Sequence, residues 1–174
     1  MTEYYKIKDV LDYKFARKFT NKDVKVELKK GPKGVSLFAR KPIRKGNIVA
    51  YYKFKVYKDQ QFKGIKSNMY SIAVYNKSGR MSEKFIGDIY GGSLSVPKRG
   101  ISFLAYFSNE PSDDQEQNCE LDLNLESNYR NRDRVKEGDT MIYKLVATQN
   151  ISKGEEVCWC YSSSYERDYR ANCE

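Results

Sequence analysis

The chain contains no histidine, and that absence removes a whole catalogue of mechanisms. A Ser-His-Asp triad, a Cys-His nucleophile pair and an imidazole general base are all excluded. Zinc sites that use histidine are excluded with them. Any catalysis has to run on Tyr, Asp, Glu, Lys, Cys or main-chain groups. Long apolar runs are also missing: none approaches the roughly 20 residues that a membrane span requires. Met1 to Lys6 is too polar for a secretory signal, so an intracellular chain without a membrane partner is expected. Cysteine is sparse, with four copies at Cys119, Cys158, Cys160 and Cys173. A Cys-x-Cys pair plus two further thiols could hold zinc. Yet Cys158 and Cys160 fall on what reads as a strand with no Gly-rich knuckle, so reduced, partly buried thiols and no metal are expected.

What is present suits one domain. Hydrophobic residues make up 40% of 174, enough for a core. Tyrosine is over-used, with 15 copies, and the Tyr-, Val- and Ile-containing runs favour strands. The net charge of +9 allows contact with nucleic acid through a basic surface, and equally suits a solvated lysine-rich exterior. Against that background Asp113, Asp114, Glu116, Glu120 and Asp122 form a local acidic stretch.

Periodicity predicts a short amphipathic helix over residues 7–16, a strand from Asn21 to Leu28, and a turn at 31–34 leading into an apolar run from Val35 to Ala39. A second turn at 42–46 precedes a long strand from Ile48 to Tyr57. Strands are expected at Tyr70 to Tyr75 and Phe85 to Tyr90, with Asn76-Lys77-Ser78-Gly79 as a hairpin turn between them. Ile101 to Phe107 reads as a helical turn, Pro111 to Gln117 as a polar loop, and Ser127 to Asp139 as a charged excursion. Met141 to Thr148 and Glu155 to Tyr161 complete the strands, and a short polar helix is expected from Ser162. No repeat or low-complexity block divides the chain. Many short strands with few helices make a mostly-β domain.

Three segments carry candidate chemistry. In Gly34-Val35-Ser36-Leu37-Phe38-Ala39, small residues let a ligand approach the main chain, although a turn into a core strand has the same look. In Phe107-Ser108-Asn109-Glu110-Pro111, followed by Asn118-Cys119, an Asn can donate and accept at once, or simply end a helical turn. In Gly154-Glu155-Glu156-Val157-Cys158-Trp159-Cys160-Tyr161, a tyrosine hydroxyl in a pocket can hold a reacting amine, or the residue can be core.

Taken together and in this order, the segments resemble the motifs of the SET-domain protein lysine methyltransferases. That family pairs a GxGxxA-like segment with N-H-S…N-C and ends in G-E-E-[LI]-x-x-x-Y. Ile43-Arg44-Lys45-Gly46-Asn47-Ile48-Val49 also looks like its I-x-K-G-x-x-[VI], and Ala147 falls where the family has A-x-x-x-I. The resemblance spans about residues 24–165. It implies a mostly-β SET fold of several small sheets, short helices and a C-terminal pseudoknot. Residues 1–23 would then be an N-terminal extension with a short helix, and 166–174 a short tail.

The resemblance further implies transfer of a methyl group from S-adenosylmethionine to lysine, on a histone or histone-like basic protein, at chromatin or in the nucleus. Ser36, Leu37 and Phe38 would offer main-chain groups to the cofactor, with Asn109 and Glu110 beside its amino-acid end. Tyr161 and Tyr70 would be the catalytic tyrosines, with Trp159 and Tyr165 along the substrate channel. The acidic stretch would capture basic peptides, since a chain of this charge repels them overall. Four features differ from the family pattern. Glu110 stands for His, Pro111 for Ser and Ser36 for the second Gly, and the cysteine-rich zinc tail is missing, leaving Tyr165 and Tyr169 to wall the channel. A non-catalytic SET-like module binding protein or nucleic acid is the alternative. A plain basic nucleic-acid binder is a weaker one, because no aromatic stacking motif is present.

Overall fold

Alternating burial along two long strands builds the frame. The computed structural model describes residues 12–19, 24–58, 71–90, 92–93, 99–161 and 167–173. Strand β3 (Ile48–Lys58) turns Ala50, Tyr52, Phe54 and Val56 inward, and β7 (Thr140–Ala147) turns in Met141, Tyr143, Leu145 and Ala147. Successive side chains of a strand point to opposite faces, so these two runs line one side of the sheet. Each such buried side chain of Phe or Leu size contributes about 1.5–3 kcal/mol.

The five-stranded antiparallel sheet runs β4-β5-β3-β7-β6, where β4 is Ile72–Tyr75, β5 Met81–Asp88 and β6 Cys119–Asp122. Strands β1 (Val26–Gly31) and β2 (Gly34–Ala39) form a separate hairpin. The mostly-β expectation with several small sheets therefore holds. Two buried tyrosines tie edge strand β4 to the frame. The Tyr143 hydroxyl donates to the Ala73 carbonyl at 2.9 Å and accepts the Tyr75 N–H at 3.2 Å, while the Tyr129 hydroxyl donates to the Tyr75 carbonyl.

Several boundaries differ from the sequence reading. A four-residue helix, Tyr13–Ala16, runs into a 3₁₀ turn, Arg17–Phe19, and the part of the expected helix before Asp12 lies outside the described residues. β1 starts at Val26 and continues to Gly31, because it pairs with β2 along its whole length. β5 begins at Met81, directly after the Asn76–Gly79 turn, since Met81 already pairs with Tyr75. Cys119–Asp122, read only as the end of a motif, is a strand on β7. Residues 167–173 are not helical.

The largest correction concerns 155–161. It is not a strand: it makes one antiparallel bridge, Phe38↔Glu156, and one parallel bridge, Asn109↔Cys158. Its neighbours change within two residues, so no ladder forms. On one edge, Val157 N–H donates to Leu37 O at 2.8 Å and Ala39 N–H to Glu155 O at 2.8 Å. On the other, Asn118 and Cys119 N–H groups reach Cys158 O at 3.0 and 3.1 Å, and Trp159 N–H reaches Asn109 O at 3.2 Å. The end of the domain is thus held between two stretches far upstream, as a C-terminal pseudoknot requires.

Gly87 tests how tightly this frame is packed. A Cβ there would lie 2.3 Å from Phe54 Cδ2 and 2.9 Å from Ile72 Cγ2. Phe54 is fully buried and its ring centroid sits 4.7 Å from that of Tyr143, so it has nowhere to retreat. Gly87→Ala is expected to destabilise the fold by about 1–3 kcal/mol, read as a lower urea midpoint. An unchanged midpoint would contradict this packing.

Candidate functional site

A cavity of about 620 Å³ opens where β4, the 3₁₀ turn Ala105–Phe107, the turn before β2 and residues 159–161 meet. That volume lies within the range of small-molecule sites. Asn109, Glu110, Trp159 and Tyr161 all line it. Residues separated by some fifty positions in sequence therefore share one space. Tyr70 and Tyr165 lie outside the described residues.

Asn109 is fixed through its amide nitrogen. Nδ2 donates to Ser36 Oγ at 2.7 Å and to Val35 O at 3.2 Å. Its Oδ1 accepts no hydrogen bond among the described residues, so it keeps its acceptor capacity at the cavity lining. Ser36 is buried and serves as the anchor of Asn109.

Much of the β2 main chain is engaged within the fold. Leu37 O is taken by Val157. N–H and C=O directions alternate along an antiparallel strand. With Leu37 and Ala39 facing 155–157, Ser36 and Phe38 face β1, opposite Lys29 and Glu27. None of Ser36, Leu37 and Phe38 lines the cavity. The stretch that does is Pro32 to Val35, just upstream.

Tyr161 is held at three points. Its hydroxyl donates to Ser108 O at 2.8 Å, its N–H to Glu110 Oε1 at 2.7 Å, and its carbonyl accepts from Arg167 Nη2 at 3.2 Å. Trp159 packs edge-on against the Tyr161 ring at 4.9 Å. Tyr52 and Tyr106, which sequence reasoning left unassigned, add two more aromatic walls, their centroids 6.2 Å apart.

Glu110 does not turn its side chain to a ligand. The buried carboxylate accepts Tyr161 N–H, both Arg167 Nε (2.6 Å) and Nη2, and the Tyr169 hydroxyl (2.9 Å). Burial alone raises its pKa, but the hydrogen bonds from Arg167, Tyr169 and Tyr161, with the guanidinium charge, outweigh that and leave it below the ordinary value. Glu110 is thus an anchor for residues 167–169.

Cysteine is the second correction. Cys160 and Cys173 form a disulfide across 13 positions, with Cα atoms 5.6 Å apart, while Cys119 and Cys158 are free and buried. Burial pushes both free thiols up to about 12. The tail brings Cys173 back because Asn172 N–H and Nδ2 bind Pro111 O (3.0 Å) and Gln115 O (2.6 Å). That return path runs through the polar loop and has no periodic trace in the sequence.

Sequence reasoning also missed a partly buried ion pair at the cavity wall. Lys33 Nζ donates to Glu110 O (2.9 Å), Gln115 Oε1 (2.7 Å) and both oxygens of Glu156 (3.2 Å). Glu156 belongs to the Gly154–Tyr161 segment. Its position between an apolar Val157 and a surface turn was the available hint.

The SET domain family model matches residues 34–162. No curated protein matches the chain.

The low pKa of Glu110 has a signed consequence. A depressed carboxyl contributes stability above its unfolded value near 4.5, and loses it as pH falls through the folded value. Glu110→Gln should lower the melting temperature at about pH 7, and the gap should shrink toward about pH 3. Thermal scans showing an equal gap at both ends would contradict the assignment.

Proposed function

The chain belongs to the SET-domain family, whose members are generally methyltransferases, and we propose that it is an S-adenosylmethionine-dependent protein-lysine N-methyltransferase acting on a histone-like basic protein. The observation that carries this reading is the convergence of Asn109, Trp159 and Tyr161 on one cavity.

The residues present fit a cationic cofactor. Lys33 is already engaged by Glu156, Gln115 and Glu110 O, and Arg170 faces Asp113 at 3.5 Å. No uncompensated positive charge among the described lining residues would oppose a sulfonium, and the aromatic walls favour one. Asn109 Oδ1 suits an ammonium, and the Pro32 to Val35 main chain supplies a polar edge. When bound, S-adenosylmethionine supplies an electrophilic methyl group.

The protein's own contribution is alignment and desolvation. The target lysine must enter neutral. An apolar, aromatic passage lowers its pKa, as does any nearby positive charge. The Tyr161 hydroxyl spends its proton on Ser108 O, and its oxygen can then accept an N–H from the amine, aiming the nitrogen lone pair. No imidazole and no metal enter this scheme.

The acidic loop supports a basic substrate. Asp113, Asp114 and Glu116 are exposed, and the loop joins the cavity wall at Pro111 and Ser112. On a chain of net charge +9, it offers local attraction where the rest repels.

Two measurements test the reading. Incubation with labelled cofactor and a panel of basic proteins, followed by mass spectrometry, should find methyl-lysine, and Tyr161→Phe should cut turnover by about a hundredfold or more while calorimetry shows cofactor affinity little changed. A fully active Tyr161→Phe protein would contradict the role, and no saturable heat with S-adenosylmethionine would favour a non-catalytic binding module. Separately, reversing the charge at Asp113, Asp114 and Glu116 should raise KM for a basic protein, with an effect that fades at high salt. An unchanged KM would remove the loop from substrate capture.

A further inference from the structure

Residues 167–173 lie along the cavity, and Tyr169 and Arg170 form part of its lining. None of the seven is fully buried, and Arg167, Ala171 and Cys173 are only partly covered. Their described attachments are largely polar. Arg167 and Tyr169 bind the Glu110 carboxylate, and Asn172 binds two main-chain carbonyls of the 111–115 loop. The Arg170–Asp113 contact is between exposed groups and contributes little. Segments with few buried contacts open locally at low cost. Here a covalent clasp is added, the bond from Cys160 to Cys173 at the far end of the strap. Cys160 is also the residue directly before Tyr161.

The strap reports its position to Tyr161 from both sides of that residue's main chain. Glu110 takes the Tyr161 N–H, and Arg167, paired with the same Glu110, takes the Tyr161 carbonyl. If the strap leaves, the carbonyl loses the Arg167 hydrogen bond and Glu110 stays behind as a buried carboxylate without that cation. Both changes fall on the residue beside the proposed target amine.

We propose that residues 167–173 are a thiol-controlled wall of the cavity: the Cys160–Cys173 bond keeps Arg167 and Tyr169 on Glu110, and its reduction loosens Tyr161 and opens that side. The step balances with a dithiol as reductant. A thiolate attacks one sulfur, the Sγ–Sγ bond breaks, and two electrons and two protons end on Cys160 and Cys173 as the dithiol closes into its own disulfide. Glu110 and Arg167 are positioning residues in this scheme. The effect on turnover rests on the methyltransferase reading, whereas the movement of the strap does not.

The test uses the full chain, oxidised, reduced with dithiothreitol, and as Cys173→Ser. Alkylation under native conditions should label Cys160 and Cys173 only after reduction, because Cys119 and Cys158 are buried. Hydrogen exchange should show the amides of 167–173 exchanging about tenfold faster or more once reduced, with the Tyr161 amide following. Cys173→Ser should match the reduced state with or without dithiothreitol. On a basic protein substrate, release should raise KM more than it lowers kcat. Identical exchange in all three samples would overturn the proposal, as would ready alkylation of both cysteines in the oxidised sample. Faster exchange without methyl transfer in any state would keep the strap and remove the methyltransferase reading. Methyl transfer with unchanged exchange would do the reverse.

Discussion

Hydrogen bonds on both edges of residues 156–159 are the constraint from which the site follows. Leu37 O holds Val157 on one side, and Asn109, Asn118 and Cys119 hold Cys158 and Trp159 on the other. Each such bond contributes only about 0.5–1.5 kcal/mol net, yet leaving a buried partner unmade costs about 1–3 kcal/mol. The asymmetry matters because Val157 and Cys158 are fully buried. A shift of the segment by one residue would orphan several groups at once, so register is well defined without a sheet ladder. Trp159 and Tyr161, immediately downstream, inherit that precision.

Charge is organised by the same segment. Two carboxylates from the motif regions, Glu156 and Glu110, each face a single cation, Lys33 and Arg167 respectively. Lys33 and Glu110 belong to the cavity lining, and each carries its opposite charge beside it, so neither pair leaves a net charge there. Asn118 links the two regions, donating to Glu156 O at 2.9 Å and accepting Cys158 N–H at 2.9 Å. A pocket for a cation benefits from this arrangement, since uncompensated positive charge within a few ångströms in a low-dielectric space would oppose binding.

Much of this was legible in the sequence, and the limits have physical causes. Strands β3 and β7 were readable because their burial alternates with period two. The 76–79 turn was readable because Gly79 must take φ +81°. The convergence of Asn109 and Tyr161 was reached only through motif order, since nothing local to either residue points at the other. What could not be read shares one property: it depends on partners brought together by the chain's return. Residues 155–161 have strand-like composition but bond to two different neighbours. The main chain of Ser36 and Phe38 is spent on β1, a direction no residue type encodes. The Cys160–Cys173 pairing requires knowing that Asn172 docks on the 111–115 loop.

Glu110 shows why these features belong together. Read alone, a glutamate in place of the family's histidine looks like a loss. Yet its side chain is fully buried, and Arg167 retains 22% exposure. An unpaired carboxylate at such a place costs about 3–5 kcal/mol, a large share of the 5–15 kcal/mol that typically holds a domain folded. Glu110 is therefore tolerable only if residues 167–169 return to meet it. Conversely, none of those residues is fully buried, and Glu110 supplies a main part of their polar attachment, beside Asn172 and the Cys160–Cys173 bond. The carboxylate and the tail depend on each other, and their meeting point is the main chain of Tyr161. Electrostatic pairing thus helps to hold residues 167–169 in place, and it couples their order to the main-chain geometry of Tyr161.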